Sequence, residues 1–245
     1  MTKQLLNIYG KLLFVDVVFY LLFVISVLMS ALLEKAHLSY IIPPIIIVIG
    51  IKHLVVCKKH SSKVNKTFLM ALLIILVSDM MSFNCYTECY LGILICITLY
   101  FILNIIIVKP YLSKWQTKKL FSVSVFLSFL FFGYLVYAVL DLLIDFIPEG
   151  QLIFTLTTTL SLLIYTLIFA LIYINDQYDR AVVLLISGVL NFFQAVLSPI
   201  NEFFHFTTTF TILIIICHIL SLYLFMTFIS HTDPIKDRSK STKYV

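Results

Sequence analysis

The sequence predicts an all-α fold: a polytopic transmembrane helical bundle of eight spans with both termini in the cytoplasm. The composition, the spacing of the apolar stretches and the placement of the lysine and arginine residues support this prediction. The 245-residue chain is 62% hydrophobic and 12% charged, with a mean hydropathy of +1.09, whereas a soluble domain carries about 25% charged residues. Because a water-soluble fold cannot bury so much apolar surface, we expect the lipid bilayer to be its solvent.

Eight apolar stretches, each close to the roughly 20 residues that cross the hydrocarbon layer, divide the chain. Helices are expected, because unpaired backbone groups are costly in lipid and no alternating barrel pattern is present. Short turns make consecutive helices antiparallel neighbours. The chain is predicted to form one bundle, 1–230, and a polar tail, 231–245, that we expect to be disordered. The spans are placed at about 12–33, 38–56, 67–84, 91–108, 120–143, 152–174, 181–199 and 207–229.

The first two stretches need separate justification. Residues 12–33 follow a short basic start, but they are too long for a signal-peptide core and lack a small-residue cleavage pattern, so we interpret them as a retained span. The second stretch is free of charge only over 38–51, and Pro43 and Pro44 interrupt its first turn. Its hydropathy favours a full span. The alternative is a re-entrant segment, which would leave seven spans and move the N-terminus outside.

The basic residues predict the orientation. With eight spans, all but Lys35 of the 17 lysine and arginine residues fall on one side, which the positive-inside rule identifies as the cytoplasm. The net charge of +5 is dispersed over separate segments, which argues against nucleic-acid binding. Membrane lipids are the expected partners; protein partners are not indicated. The residues on the rich side are Lys3, Lys11, Lys52, Lys58, Lys59, Lys63, Lys66, Lys109, Lys114, Lys118, Lys119, Arg180, Lys236, Arg238, Lys240 and Lys243.

Asp79 is the most informative polar residue at membrane depth. It lies in the outer half of the third span, where desolvation predicts a carboxyl group that is either protonated or paired. Ser82 follows on the same helix face at i+3. The functional interpretation is a general acid or an ion ligand, and the structural alternative is a carboxyl group that bonds to a neighbouring helix.

The seventh span carries a polar stripe. Ser187, Asn191, Gln194 and Ser198 recur at spacings of four, three and four residues, which places them on one helix face. We expect this face to point into the bundle, either as interhelical hydrogen-bond contacts or as the wall of a wet cavity, with the first the commoner case. Gly188 beside the stripe is predicted to allow close helix approach.

The remaining intramembrane polar groups are more ambiguous. His218 in the eighth span and Asn104 in the fourth are more typical of hydrogen-bonded packing residues than of ligands, and Asp16 lies near a span end where a carboxylate can reach water. Asp79 and Asn104 also have counterparts of similar spacing in Gln194 and His218. This similarity of spacing predicts two four-helix repeats of the same orientation, with Asp79 and Gln194 at equal depth in the membrane.

Several kinds of chemistry are not indicated. The sequence contains no zinc-ligand spacing, no glycine-rich phosphate loop and no nucleophile elbow, so we expect no cofactor and no metal. Cys85 and Cys89 share an outer turn where oxidation is possible. Four residues apart on a helix they would be poorly placed for a bridge, so free thiols are favoured over a disulfide.

The layout resembles that of the bacterial YhhN-type lysoplasmalogenase family: eight spans, both ends inside, an acidic residue late in the third span (Asp79) and a glycine thirteen residues later (Gly92). The stretch 187–203 is similar to the seventh span of that family. The resemblance implies a location in the inner membrane. It also implies hydrolysis of the vinyl-ether bond of lysoplasmalogens by paired membrane-embedded aspartates, of which Asp79 matches the first.

The chain departs from the family at proton-carrying positions. Gln194 stands where the second aspartate is expected, and Tyr100 stands where a histidine is expected. Glutamine cannot transfer a proton, so we expect a protein of this fold that binds a lipid-like ligand or a partner, with hydrolase activity weakened or lost. The alternatives are an active ether-lysolipid hydrolase and a small-solute transporter whose path follows the seventh-span stripe. The cavity-lining candidates are Ser82, Tyr100, Asn104, Ser187, Asn191, Gln194, Ser198 and His218.

Overall fold

The computed structural model describes residues 2–32, 35–59, 64–112, 123–204 and 206–234, and the regular secondary structure in these ranges is entirely helical. Short 3₁₀ turns at Lys109–Tyr111 and Ile144–Phe146 and a π turn at Ile200–Phe204 extend three of the helices. The helices are α1 (Thr2–Leu32), α2 (Lys35–Leu38), α3 (Ile42–Lys59), α4 (Lys66–Asn84), α5 (Tyr90–Val108), α6 (Val123–Leu143), α7 (Leu152–Ile174), α8 (Ala181–Pro199) and α9 (Thr208–His231).

Every predicted span overlaps one long helix. In the described ranges, six segments are long and apolar enough to cross a membrane, which supports a multi-pass membrane protein. The helices α3 and α6 are not among them, so a full crossing by these two stays a prediction. The six segments are Leu12–Leu32, Lys66–Asn84, Tyr90–Tyr111, Leu152–Ile174, Ala181–Phe204 and Thr208–His231.

The helices form a closed ring. Helix α3 packs against α4, α4 against α5, α5 against α7, α7 against α8 and α8 against α9, and α9 returns to α3. Helix α1 lies against α3 and α9, while α6 lies against α7 and α8. The ring order α3–α4–α5 in the first half of the chain corresponds to α7–α8–α9 in the second half, but α6 lies on α8 where an exact repeat of α1 would lie on α5. Two four-helix repeats would give the shared ring order, and the repeat itself stays a prediction.

Large aromatic side chains fill the centre of the ring, among them Phe68, Phe101, Tyr165 and Phe225, which are all buried. A Cβ atom added to Gly188 would lie 3.0 Å from Cδ2 of Phe169. This close approach of α7 and α8 agrees with the prediction for Gly188. Leucine and isoleucine side chains remain exposed on the outside of the ring, as expected of a surface that faces lipid.

His53 connects three segments on the side of the bundle where α4 begins. Its Nε2 accepts a hydrogen bond from the backbone N–H of Asn65 at 3.2 Å, so Nδ1 carries the proton that is donated to Ser230 Oγ at 2.8 Å. Asn65 in turn caps α4, since its Oδ1 accepts from the backbone N–H of Phe68. This imidazole therefore holds α3, the start of α4 and the end of α9 together.

The sequence groups Lys52 with the basic residues of the turn after the second span, but the structure places it inside a helix; the side of the membrane on which it lies stays a prediction. Lys52 lies within α3 and is 7% exposed. Its Nζ is 2.5 Å from Asp16 Oδ1, donates to the Tyr223 hydroxyl and lies 4.1 Å from the Tyr223 ring centroid. A carboxylate, a hydroxyl and an aromatic face replace the water that this buried ammonium group would otherwise need. Asp16, expected near a span end where a carboxylate can reach water, is 30% exposed and pairs with the buried cation.

The prediction that Cys85 and Cys89 are free thiols is also wrong, because the two residues form a disulfide. The prediction assumed helical spacing, but the chain leaves α4 at Asn84 and turns before α5 begins at Tyr90. That turn brings the two Cα atoms to 5.4 Å, which is within the usual range for a bridge.

Candidate functional site

Three ring helices bring the central residues of the site together. Asp79 lies in the last turns of α4, Gln194 in the second half of α8 and His218 near the middle of α9. The Nε2 atom of His218 is 2.9 Å from Oδ2 of Asp79. Of the two expectations for Asp79, a protonated or a paired carboxyl group, the structure shows a paired one, and His218 of a neighbouring helix is its partner.

The Asp79–His218 pair is almost withdrawn from solvent, with 8% and 6% of the two residues exposed. One proton lies between the two groups, either as an imidazole N–H that donates to a carboxylate or as a carboxylic O–H that donates to a neutral nitrogen. The pair therefore holds one hydrogen-bonding proton in a buried position on the cavity wall.

Two adjoining cavities, of about 100 Å³ and about 50 Å³, meet at this pair. Both cavities are lined by Asp79, Ser82, Tyr86, Gln194 and Ser198. These residues form a shared polar wall. The structure thus brings together four candidates from the sequence around Asp79, since His218 lines the smaller cavity as well.

The larger cavity becomes apolar away from the shared wall. Ile97 and Phe101 of α5, Val136 and Leu140 of α6 and Leu162 of α7 line it. Two of its threonines, Thr155 and Thr158, add little polarity, because their hydroxyls donate to the backbone carbonyls of Gln151 and Phe154, four residues earlier. The cavity is therefore amphipathic, with a polar wall at one side and aliphatic and aromatic side chains at the other.

The smaller cavity is more polar. Beside the shared wall it is lined by Asn201, Glu202, Thr211 and His218. Asn201 is held in place because its Nδ2 donates to Thr211 Oγ1 at 3.1 Å and its Oδ1 accepts from the backbone N–H of Thr207 at 2.9 Å. The π turn after α8 and the start of α9 are thereby connected at the wall of this cavity.

The polar stripe of α8 has two roles, one in each half. Ser187 donates to the backbone carbonyl of Ser221 at 2.8 Å, and Asn191 Nδ2 donates to the hydroxyls of Tyr100 and Tyr165 at 3.3 and 3.2 Å. Gln194 and Ser198 line both cavities instead. Interhelical contacts and a cavity wall, the two alternatives for this stripe, therefore both occur.

The remaining candidates are buried in the helix packing. Tyr100 is 3% exposed and accepts from Asn191, and Asn104 is fully buried one turn further along α5. Neither residue lines the two cavities. Together with Ser187 and Asn191, they belong to a polar layer in the helix packing beside the cavity residues of α8.

Tyr86 is a site residue that sequence reasoning missed. It lies in the turn after α4 and lines both cavities. Burial raises the pKa of its hydroxyl well above the ordinary value; Tyr90 and Glu202 add to this, and a hydrogen bond with Ser198 acts in the opposite direction. The available signal was an aromatic residue between two cysteines in the turn after α4, but only the conformation of that turn shows that Tyr86 lines the cavities.

The described residues contain no group of three histidine, cysteine, aspartate or glutamate side chains that could hold a metal ion. Comparison of the chain with protein-family models, with curated proteins and with solved structures finds no match. Inference about function therefore starts from the geometry of the Asp79–His218 pair and its cavities.

Proposed function

We propose that the protein is an integral membrane protein that binds a single-chain, lipid-like ligand in the joined cavities, with hydrolase activity weakened or lost. The polar end of the ligand lies at Asp79, His218 and Gln194, and the chain lies along the apolar side of the larger cavity. The observation that carries this proposal is the amphipathic lining, polar around Asp79 and aliphatic beyond it. A cavity of this kind matches an amphiphile better than a small polar solute.

Replacement of each of two alanines by phenylalanine tests this binding. Ala195 lines the larger cavity, whereas Ala138 is exposed on α6. We expect Ala195→Phe to abolish saturable binding of a fluorescent single-chain lysolipid in lipid nanodiscs, because the ring fills the cavity. Ala138→Phe adds the same side chain to the lipid-facing surface and should bind like the unmodified protein. Equal binding by both variants would exclude the cavity as the site.

The proposal includes a location in the inner (plasma) membrane with both termini cytoplasmic. The distribution of basic residues supports this orientation. It places the disulfide between Cys85 and Cys89 on the outer side, where disulfides persist. Reporter fusions after Lys11 and after Ser62 are expected to report the same, cytoplasmic side. Opposite sides would show that α3 does not cross the membrane.

A second candidate function is hydrolysis of an ether lysolipid, and the contact between Asp79 and His218 favours it. In vinyl-ether hydrolysis, an acid protonates the carbon of the double bond that is not bonded to oxygen. Water then adds to the resulting oxocarbenium carbon. The hemiacetal then separates into an aldehyde and an alcohol. The shared proton of the pair can serve as the acid, and the pair can take back the proton that water releases. His218 would then supply the function that Gln194 cannot.

Release of aldehyde from a lysoplasmalogen separates the two candidates. An active hydrolase produces aldehyde with the unmodified protein and loses this activity in Asp79→Asn and His218→Gln. A binding protein produces none but still binds the same lipid in a manner sensitive to Ala195→Phe. The transporter hypothesis has no comparable support, because hydrogen bonds close the part of the stripe at Ser187 and Asn191.

A further inference from the structure

The charges around the two cavities indicate which polar group they accept. Asp79 and Glu202 contribute carboxyl groups, and His218 contributes the basic group. Neither set of lining residues, all within the described ranges, includes a lysine or an arginine. The lining of the smaller cavity therefore offers two carboxyl groups and one imidazole. An anionic head group such as a phosphate or sulfate would therefore meet no fixed cation in this site.

Two lysines on the cavity-lining helices α3 and α4, Lys52 and Lys66, are already engaged or distant. Lys66 lies thirteen residues before Asp79 on α4, which corresponds to roughly 20 Å along a helix axis. Lys52 is paired with Asp16 and covered by Tyr223. Neither residue can move to the cavities without breaking the helix or the ion pair in which it lies.

Aromatic rings add a second feature at the same place. Tyr86, which lines both cavities, lies with its ring centroid 5.5 Å from that of Phe203 and 5.9 Å from that of Tyr90. The Tyr90 and Phe203 centroids are 5.3 Å apart; Tyr90 lines the larger cavity, and Phe203 packs behind these rings without lining either cavity. Aromatic rings beside carboxylates are the surroundings in which proteins bind ammonium groups, through attraction to the ring faces and to the negative charge.

We propose that the ligand of this site is a single-chain amphiphile whose polar end carries a positively charged nitrogen, held by Asp79, Glu202 and Tyr86. This inference rests on the proposed function and specifies its ligand. The nitrogen could belong to a long-chain amine or to the ammonium of a zwitterionic lysolipid. The site recognises the same group in both cases, and the part of the hydrocarbon chain next to that group lies in the larger cavity.

The test uses four dodecyl probes that share one chain: trimethylammonium, phosphocholine, sulfate and maltoside. Each probe, below its micellar concentration, competes with a fluorescent single-chain lysolipid on the protein in zwitterionic nanodiscs, with partition into empty nanodiscs subtracted. We expect the trimethylammonium probe to displace at a concentration about tenfold or more below that of the sulfate and maltoside probes. If the phosphocholine probe displaces as strongly as the trimethylammonium probe, the ligand is a zwitterionic lysolipid. If it displaces more weakly than the trimethylammonium probe, the ligand is an amine.

A matched pair of variants tests the charge at the site. Glu202→Gln removes a carboxylate from the smaller cavity with little change in shape, whereas Asp145→Asn makes the same charge change on the exposed 3₁₀ turn after α6. The ammonium preference should fall about threefold or more in Glu202→Gln and stay unchanged in Asp145→Asn. An equal fall in both variants would show that the preference comes from the general surface charge and would overturn the inference.

Two failures remain distinguishable. Preference for the sulfate probe, or equal displacement by the maltoside and trimethylammonium probes, would overturn the inference and leave the proposed function standing. The proposed function itself would be overturned if the unmodified protein showed no saturable lysolipid binding, or if Ala195→Phe left that binding unchanged. The comparison among probes uses the unmodified protein, so it does not depend on the folding of any variant.

Discussion

Oδ2 of Asp79 and Nε2 of His218 are 2.9 Å apart although 139 positions separate the two residues in the chain. The contact joins α4 to α9, two helices on opposite halves of the chain. It replaces the water that both groups would otherwise require and places a shared proton on the wall of a cavity. A polar contact between distant segments therefore serves the packing of the bundle and the chemistry of its site at once.

The first prediction concerns this pair as a unit. Asp79→Leu or His218→Leu alone should lower the free energy of unfolding by about 1–3 kcal/mol, because each leaves a buried polar partner unsatisfied. The double variant should cost no more than the larger single change. Denaturant titration in detergent micelles measures the free energies of unfolding of the unmodified protein, the two single variants and the double variant. Asp141→Leu, an exposed carboxyl group on α6, is the control; additive effects of the paired substitutions would contradict the coupling.

The second prediction concerns the asymmetry of the Asp16–Lys52 pair. Asp16→Asn leaves a cation whose side chain is 9% exposed, whereas Lys52→Met leaves a carboxylate that is 30% exposed. We therefore expect Asp16→Asn to be the more destabilising change, by on the order of 3 kcal/mol against the unmodified protein, with partial recovery in the double variant. Lys58→Met, at an exposed position on α3, serves as the control. Equal losses from the two single variants would refute this asymmetry.

The third prediction compares two glycines on helices. Gly188→Ala places a methyl group 3.0 Å from the Phe169 ring, whereas Gly133→Ala meets no atom within 4 Å. Both changes gain helix propensity, so their difference isolates the overlap. Gly188→Ala should destabilise the protein by roughly 1–3 kcal/mol relative to Gly133→Ala. Thermal unfolding in nanodiscs measures this difference, and a Gly188→Ala variant as stable as Gly133→Ala would show that the two helices can separate freely.

The fourth prediction concerns the disulfide in the turn after α4. In intact cells, a membrane-impermeant maleimide should label Cys85 and Cys89 only after a reductant is added, because the bond occupies both thiols. Cys57 is buried and serves as the internal control. Labelling of residues 85 and 89 without reductant would contradict the bridge, and absence of labelling after reduction would contradict their outer location. Replacing both residues by serine should cost at most about 2 kcal/mol, since the loop is short.

Much of the fold was predictable because hydrophobic length is a local property of the sequence. The predicted start of the eighth span, 207, differs by one residue from Thr208, where α9 begins, since Thr207 supplies the helix cap. Crossing by α3 could not be settled in this way. The buried Lys52 of α3 pairs with Asp16 of α1. A hydropathy average over neighbouring residues does not detect such a contact between distant parts of the chain.

The site was predictable in its components and not in its pairing. Asp79 and the α8 stripe were identified because polar groups are costly in lipid. The spacing of the stripe residues also shows that they share one helix face. The partner of Asp79 was not identifiable, because the helix order around the ring brings His218 to it. The division of the stripe into a packing half and a cavity half, between Asn191 and Gln194, likewise depends on which helices lie opposite each position.

The buried Lys52 ties the biogenesis of the protein to its last helix. The ribosome releases α3 long before Tyr223 is made, so the nascent lysine has only Asp16 of the first helix to neutralise it. A chain that stops before Thr208 leaves this ammonium without its hydroxyl and aromatic cover and leaves His53 without Ser230. A chain truncated before α9 therefore leaves two buried polar groups, each without one of its partners, and completion of α9 restores both contacts.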